Sequence, residues 1–372
     1  MKLIFAIICA AALLLCPCAA SAEAPQNNMG AQAADAIREA VPPDAAELLE
    51  DSGITPENNG AVGLTFGGVV DYLLGLVTDR AAKPLRLLVS LSGIVLLSAI
   101  ARSAADTASG SMSGVFATVG VLAGAGMTTA AVADCLNEVM QLLYAASAFM
   151  LIFIPTFAGI LAVMGRAAAA SAVNTVTLAA AQLFSQLAVN FLVPLCGSVM
   201  GLSITGAVHP ELKIASLGEF IKKVVMWVLT ALMTIFISIL SLQTFVTNSA
   251  DSVLIRTAKF AVSSAVPIVG GTISDAVSTV SGSLALLHSG VGTYGMIAAA
   301  VMILPMLITV VCYKAALCCA EAVSDIFGIK ELSALFKSCG AVMSIIIAVI
   351  ACFLLMNTVS AAIMLAIGNG TA

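Results

Sequence analysis

Long apolar runs, separated by only a few charged side chains, constrain the fold of this chain more than any other feature. Each run has the roughly 20 residues that a helix needs to cross a bilayer. In lipid, the backbone must satisfy its own hydrogen bonds, which favours helices. The composition agrees, since 61% of residues are hydrophobic and 9% charged. The sequence predicts an all-α, polytopic integral membrane bundle of about seven transmembrane helices, at 85–105, 112–133, 139–164, 167–189, 224–246, 294–313 and 340–367.

One further run, 191–208, is ambiguous because Pro194 and several glycines interrupt it, and it reads as either a half-helix or a crossing. Small residues recur at four-residue spacing, as in Gly120 to Gly124 and Gly197 to Gly201. Such pairs let helix backbones approach closely, so they predict tight packing or a homo-oligomer. Alanine-rich helices also contain this spacing by chance.

The N-terminus, residues 1–22, has the features of a cleaved secretory signal peptide. Lys2 precedes an apolar run, and the small residues at 20–22 form the cleavage site. A lipoprotein signal at Cys16 or Cys18 is the alternative, but Leu and Pro precede these cysteines where a small residue is expected.

A polar segment, residues 23–82, follows the signal peptide and precedes the membrane domain at 83–372. It is acidic and contains Pro42, Pro43 and an Asn-Asn-Gly turn at 58–60. Few large apolar side chains are available for an independent core. We expect a short, partly ordered extracytoplasmic region that lies on the membrane or on partner proteins.

The segment 251–289 differs from the other apolar runs. Pro267 and the Gly270-Gly271 pair are expected to break the helix and leave two arms of roughly 14 to 17 residues. Each arm would be about 20 to 25 Å long, which is less than the roughly 30 Å of hydrocarbon. The sequence therefore predicts a broken hairpin that is re-entrant or amphipathic.

Charged residues on the two arms could join them. Arg256 and Lys259 share one stripe of the first arm, and Asp275 lies on a polar stripe of the second. Ionisable groups at membrane depth face a bundle interior, a partner or water. We expect Arg256 or Lys259 to pair with Asp275. The alternative is an exposed amphipathic loop whose charges are solvated.

The same segment resembles a known family. In order and spacing, its matching residues resemble the C-terminal half of stage III sporulation protein AE: Ser241, Leu242, Gln243, Asp251, Arg256, Thr257, Ala258, Lys259, Phe260, Pro267, Gly270, Asp275, Ala276, Thr279, Val280, Leu286, Leu287, Val291, Gly292 and Gly295. One departure is His288, where the family pattern leads us to expect a lysine. The resemblance implies a structural or assembly motif at Arg256, Thr257, Lys259, Phe260, Pro267, Gly270, Asp275 and Thr279.

The resemblance also implies a function and a location. The expected protein is a multi-pass subunit of the mother-cell membrane around the forespore, in endospore-forming bacteria. It would belong to the channel or secretion complex that joins the two cells during engulfment and supports forespore development. Its partners would be lipid, other membrane and extracytoplasmic subunits, and a separate ATPase.

Known catalytic and ligand-binding patterns do not occur. The chain has two histidines, His209 and His288, and no H-E-x-x-H pattern, so a zinc peptidase is disfavoured. A pattern resembling a nucleophile elbow at 110–114 has Met112 at its centre instead of serine. No phosphate-binding G-x-x-x-x-G-K-[ST] occurs, so energy must come from another protein. The sequence predicts no enzyme activity, metal or cofactor.

Nucleic-acid binding and a cysteine framework are disfavoured too. The sequence pI is about 5.0, and no basic patch with interleaved aromatic residues occurs. The ten cysteines lie mostly in or beside apolar runs, where cysteine is a small buried hydrophobe.

Two questions remain open from the sequence. Basic loops at 213–223 and 314–337 favour the cytoplasmic side, whereas Arg80, Lys83 and Arg86 oppose the same orientation. The alternative function is a stand-alone secondary transporter for a small solute, with its site at broken helices near 191–208 and 267–271.

Overall fold

The structure, a computed structural model, describes residues 35–39, 41, 46, 75–78, 80–108, 113–164, 166–208, 218–242 and 270–368. For 105–108, 113–117, 208, 270–289 and 368 it describes the backbone alone. All regular structure in these ranges is helical. The main helices are α1 Ala82–Ala108, α2 Ser113–Val163, α3 Ala167–Leu187, a π-helical turn Ala188–Leu192, α4 Val193–Val208, α5 Gly218–Leu242, α6 Gly270–Ile326 and α7 Lys330–Gly368.

Six helices in the described ranges are long and apolar enough to cross a membrane, which confirms a helical, multi-pass membrane fold. They are Ala82–Ala104, Thr118–Val163, Ala167–Ala207, Gly218–Leu242, Gly290–Ile326 and Lys330–Ile367. Six is within one of the predicted number of about seven, but several predicted boundaries differ. The predicted spans 112–133 and 139–164 are one helix, and 167–189 continues through the π turn into 191–208.

Charged residues and prolines explain why the predicted boundaries differ. Asp134 and Glu138 separate two apolar runs in the sequence, but a charged side chain removes no backbone hydrogen bond, so α2 continues past them. Proline does remove a backbone donor, yet α2 continues through Pro155 and α6 through Pro305. Pro194 lies at the start of α4, immediately after the π turn.

The helix α7 lies at the centre of the bundle. It has the highest mean hydropathy of the six candidate spans, 2.8, and 78% of its most apolar window is buried. It packs against α6 most extensively, and also against α2, α3 and α4. A tight turn joins α6 to α7, and Gly328 adopts a φ of 70° there. Glycine suits this conformation because it has no Cβ.

Contacts at both ends of α7 fix its direction relative to α2. Gly124 of α2 lies against Leu332 near the start of α7, whereas Phe157 and Leu365 meet at Gly292 of α6. The two helices therefore run parallel, and α6 returns antiparallel to both. The rings of Phe184 in α3 and Phe353 in α7 lie 5.7 Å apart.

Part of the polar segment 23–82 contacts the bundle. Residues 35–39 form a short helix, Ile37 and Val41 are buried in the same core as the membrane helices, and Ala46 packs against it. This gives the N-terminal region an anchor on the bundle. The predicted signal peptide at 1–22 lies outside the described residues.

The predicted hairpin at 251–289 is only partly within the described ranges. Its first arm and Pro267 lie outside them, so the hairpin as a whole stays a prediction. Its second arm differs from expectation, because residues 270–289 are helical and continue into the next span as α6. The described part of this helix starts at the Gly270-Gly271 pair.

Candidate functional site

Three phenylalanines of α2 form a ladder against two glycines of α6. Phe149, Phe153 and Phe157 recur every four residues on one buried face of α2, and adjacent rings stack 5.6 Å apart. A Cβ on Gly292 would lie 2.7 Å from the Phe157 ring, and a Cβ on Gly295 would overlap Phe153. The absence of side chains at these two positions lets α2 and α6 approach closely.

A second close approach joins α1, α2 and α7. A Cβ on Gly120 would overlap Ser98 of α1, and one on Gly124 would lie 2.8 Å from Leu332 of α7. The tight packing predicted for this pair is confirmed. The pair Gly197 and Gly201 differs, since no atom lies within 4 Å of a Cβ built on either.

Ionisable residues on five helices form a set that lies between the two ends of the bundle. Lys83 of α1 donates a hydrogen bond to Glu138 of α2 at 3.1 Å, and Lys337 of α7 lies 3.4 Å from Glu219 of α5. Further electrostatic neighbours connect these pairs: Tyr313 interacts with Asp134 and Glu138, and Lys314 interacts with Lys222. We call this set the ionic belt.

A separate ion pair marks one end of the bundle. Arg102, near the end of α1, lies 3.5 Å from Glu331 in the first turn of α7. The contact is an ion pair without a hydrogen bond, since the buried Oε2 of Glu331 has no hydrogen-bond partner. Along α1, Arg102 and Lys83 are separated by a rise of about 28 Å.

Most hydroxyl groups in the bundle bond to their own helix. Thr128, Ser203, Thr309, Ser324 and Thr358 each donate to the carbonyl four residues earlier, at 2.6 to 3.0 Å. This pattern is expected where lipid and apolar side chains offer no other acceptor.

Among the residues that the structure describes, three that are buried as a whole have a polar atom without such a partner. Ser147 of α2, Thr177 of α3 and Asn357 of α7 each have a buried atom without a hydrogen bond. The parallel register of α2 and α7 places Ser147 near the level of Asn357, and the contact between Phe184 and Phe353 places Thr177 there too. An unpaired buried polar group costs about 1 to 3 kcal/mol of folding free energy. These side chains therefore lower the stability of the core at this level.

The predicted assembly residues fall into two sets. Gly270, Asp275 and Thr279 lie on the backbone of the first turns of α6, where Asp275 and Thr279 are four apart and share a face. Arg256, Thr257, Lys259, Phe260 and Pro267 lie outside the described residues. The predicted ion pair with Asp275 therefore stays a prediction.

Sequence reasoning missed the residues that the bundle brings together. The phenylalanine ladder was visible as an i, i+4, i+8 repeat at 149–157, within an otherwise aliphatic run. Its partners Gly292 and Gly295 were noted only as part of the family resemblance. In the described ranges, no group of three His, Cys, Asp or Glu side chains could hold a metal ion, and all seven cysteines there are free.

Comparison with known proteins places the bundle in a family. The sequence model of the family described as stage III sporulation protein AE matches residues 52–368, which include all seven helices. The chain belongs to the stage III sporulation protein AE family. A curated relative, stage III sporulation protein AE of Bacillus subtilis (strain 168), is 27% identical over 161 residues. This match covers 43% of the chain and 40% of the relative.

Membership of the stage III sporulation protein AE family gives the chain a role in sporulation. The family resemblance seen in 241–295 is thereby confirmed, and the match extends over the rest of the membrane domain. No solved structure matches the chain.

Proposed function

We propose that this chain is a non-enzymatic membrane subunit of the channel or secretion complex that joins mother cell and forespore during engulfment. In this proposal it lies in the mother-cell membrane around the forespore and is needed for forespore development. Family membership over residues 52–368 is the observation that carries the proposal. The bundle itself supports a role in assembly, through surface that a bilayer alone does not cover.

Helix length is the first physical support. With 51 residues, α2 is about 75 Å long, whereas the hydrocarbon core of a bilayer is about 30 Å thick. The ionic belt at Asp134 and Glu138 lies close to the middle of this helix. Charged groups prefer the membrane boundary, so one side of the belt extends beyond the hydrocarbon.

Exposed apolar side chains on both sides of the belt are the second support. Val89 and Leu97 of α1 are each 70% exposed, and Ile326 at the end of α6 is 80% exposed. Further along α2, Leu151 and Val163 are exposed as well. A single bilayer covers the exposed apolar side chains on only one side of the ionic belt. We propose that those on the other side contact neighbouring subunits of the complex.

Affinity purification from sporulating cells tests the proposal. A tagged chain is expected to recover a defined set of membrane and extracytoplasmic proteins together with a separate ATPase. A matched variant, Leu97→Glu, is expected to insert and fold but to recover fewer partners if α1 faces a subunit. Recovery of the tagged chain alone from cells at the engulfment stage would contradict the proposal.

The segment 251–289 is proposed as a docking element of this subunit. Asp275 shares a face of α6 with Thr279, and Arg256 and Lys259 are the cations nearest to it in sequence across Pro267. Asp275→Arg is expected to lower spore yield, and Arg256→Asp or Lys259→Asp in the same chain is expected to restore it. If neither second change restores spore yield, the ion pair is refuted, but the proposed role as a subunit is not.

A secondary transporter is the second candidate function. Two observations favour it: the π turn at Ala188–Leu192 interrupts an apolar helix, and the unpaired side chains of Ser147, Thr177 and Asn357 lie inside the bundle. Interrupted helices and buried polar groups form the substrate sites of many transporters. Solute uptake by the purified chain alone in liposomes, abolished by Asn357→Leu, would favour this function over the first.

A further inference from the structure

A groove with wholly apolar lining lies between the π-helical turn and α5. Leu187, Phe191 and Leu195 form one wall, and Phe220, Val224 and Val228 form the other. Its volume is about 240 Å³. A pocket without polar groups does not hold water well.

The groove is open toward the surroundings of the bundle. Phe191 is 66% exposed and Phe220 is 62% exposed, so the two rings flank its mouth. Both walls belong to candidate membrane spans, Ala167–Ala207 and Gly218–Leu242. The mouth therefore faces the acyl chains of the bilayer, and a flexible apolar chain is the ligand chemistry that matches it.

The π-helical turn creates one wall of this groove. Residues Ala188–Leu192 carry one residue more per turn than an α-helix, and Ala188 and Leu192 point into the core while Phe191 points outward. Such turns interrupt the regular packing surface of a helix and occur often at functional sites.

Two lysines lie on the same turns of α5 as the lining residues, outside the lining itself. Lys222 and Lys223 lie between the lining residues Ile221 and Val224 in the first turns of α5, and Lys314 of α6 interacts with Lys222. The one carboxylate recorded close to them on α5, Glu219, is paired with Lys337. Trp227, 73% exposed, follows one turn later, and Lys and Trp together are typical of the membrane boundary.

We propose that this groove binds one acyl chain of an anionic phospholipid whose phosphate lies against Lys222 and Lys223. The apolar lining selects the chain, and the unbalanced positive charge selects the anionic headgroup. The ionic belt places the lipid phosphate at the membrane boundary. From there the acyl chain runs along α5 toward the centre of the bilayer. This lipid site is independent of the proposed channel function, since it needs only the bundle and a bilayer.

Photo-crosslinking of the full chain in nanodiscs tests the lipid site. The probe is phosphatidylglycerol with a diazirine in its acyl chain, at a few percent in phosphatidylcholine, and labelled peptides are mapped by mass spectrometry. Labelling is expected at 187–195 and 220–229. Val228→Trp, which fills the mouth, is expected to reduce this labelling at least tenfold, whereas Leu183→Trp, on the exposed face of α3, leaves it unchanged.

The headgroup preference is tested in the same experiment. Lys222→Gln and Lys223→Gln are each expected to reduce the preference for phosphatidylglycerol over phosphatidylcholine about fivefold, the usual effect of one cation near a membrane surface. Lys330→Gln, at the start of α7, serves as the matched control and leaves the preference unchanged. Leu187→Trp provides a second blocking variant if Val228→Trp does not elute as a monodisperse species.

Three outcomes would overturn the lipid site. Uniform labelling of all exposed apolar faces, insensitive to the blocking variants, would mean annular lipid without a site. Cysteine crosslinks from Val228→Cys to residues 243–269 of the same chain would mean that this segment occupies the groove. Crosslinks of the same variant to a second copy would mean that the groove is a subunit interface.

Discussion

Gly292 of α6 lies directly against the ring of Phe157 in α2. A Cβ on Gly292 would be 2.7 Å from Cε2 of Phe157 and 2.5 Å from a methyl group of Leu365 in α7. Three helices therefore meet at one position where the side chain is a hydrogen atom. Their close approach depends on that hydrogen.

Replacing this glycine is expected to force the three helices apart. Gly292→Ala should destabilise the bundle by about 1 to 3 kcal/mol, the usual cost of overpacking a well-packed core. Gly197→Ala meets open space and should stabilise by up to about 1 kcal/mol, because alanine favours helix. Thermal unfolding in detergent, read by circular dichroism, compares the two variants. Equal effects would show that the contact at Gly292 is loose.

Two of the ion pairs, Lys83 with Glu138 and Arg102 with Glu331, are expected to differ in strength. Lys83 and Glu138 are 72% and 43% exposed, so Lys83→Ala should cost less than about 1 kcal/mol. Arg102→Ala should cost about 1 to 3 kcal/mol, because it leaves a buried oxygen of Glu331 without its counter-charge. Denaturation of both variants under the same conditions decides the order, and a larger loss for Lys83→Ala would refute it.

Asn357 is expected to weaken the core that surrounds it. Its Nδ2 is buried without a hydrogen bond, so Asn357→Leu should stabilise the bundle by about 1 kcal/mol. Thr358→Val is the neighbouring control, because the Thr358 hydroxyl already donates to Leu354 and its loss should not stabilise. Unfolding midpoints of both variants test this expectation. A marked loss of stability in Asn357→Leu would reveal a polar partner for the amide.

We expect that the extra residue of the π turn can be deleted without loss of the fold. Deleting Asn190 should convert Ala188–Leu192 into regular α-helix while the faces of α3 and α4 stay in place. Deleting Thr175 inside α3 should instead rotate one end of that helix by about 100° and expose its buried face. Size-exclusion elution and the yield of folded protein compare the two deletions. Aggregation of both would argue against this account of the turn.

Apolar run length predicted the fold class, because any chain with such runs must satisfy its backbone within lipid. The number of spans could not be read from the same signal. Asp134 and Glu138 looked like the end of one helix and the start of another, whereas they are surface charges on a continuous one. Pro194 and the glycines after it looked like a break, but they lie within α4, and the π turn comes just before them.

Helix contacts were predictable only in part. The spacing of Gly120 and Gly124 predicted a close approach that the structure contains, but the same spacing at Gly197 and Gly201 has no neighbour. Which face of a helix meets another depends on the rotation of both, and one sequence does not specify that rotation. The partnership of Phe153 with Gly295 joins residues far apart in the chain for the same reason.

Because α2 has no loop at Glu138, one continuous helix joins its Ser113 end to its Val163 end. Its two ends are about 75 Å apart, more than twice the thickness of the hydrocarbon core. A loop at the position of Glu138 would have let the two segments move separately through a few backbone dihedrals. The segments on the two sides of Glu138 therefore move together, as parts of one helix.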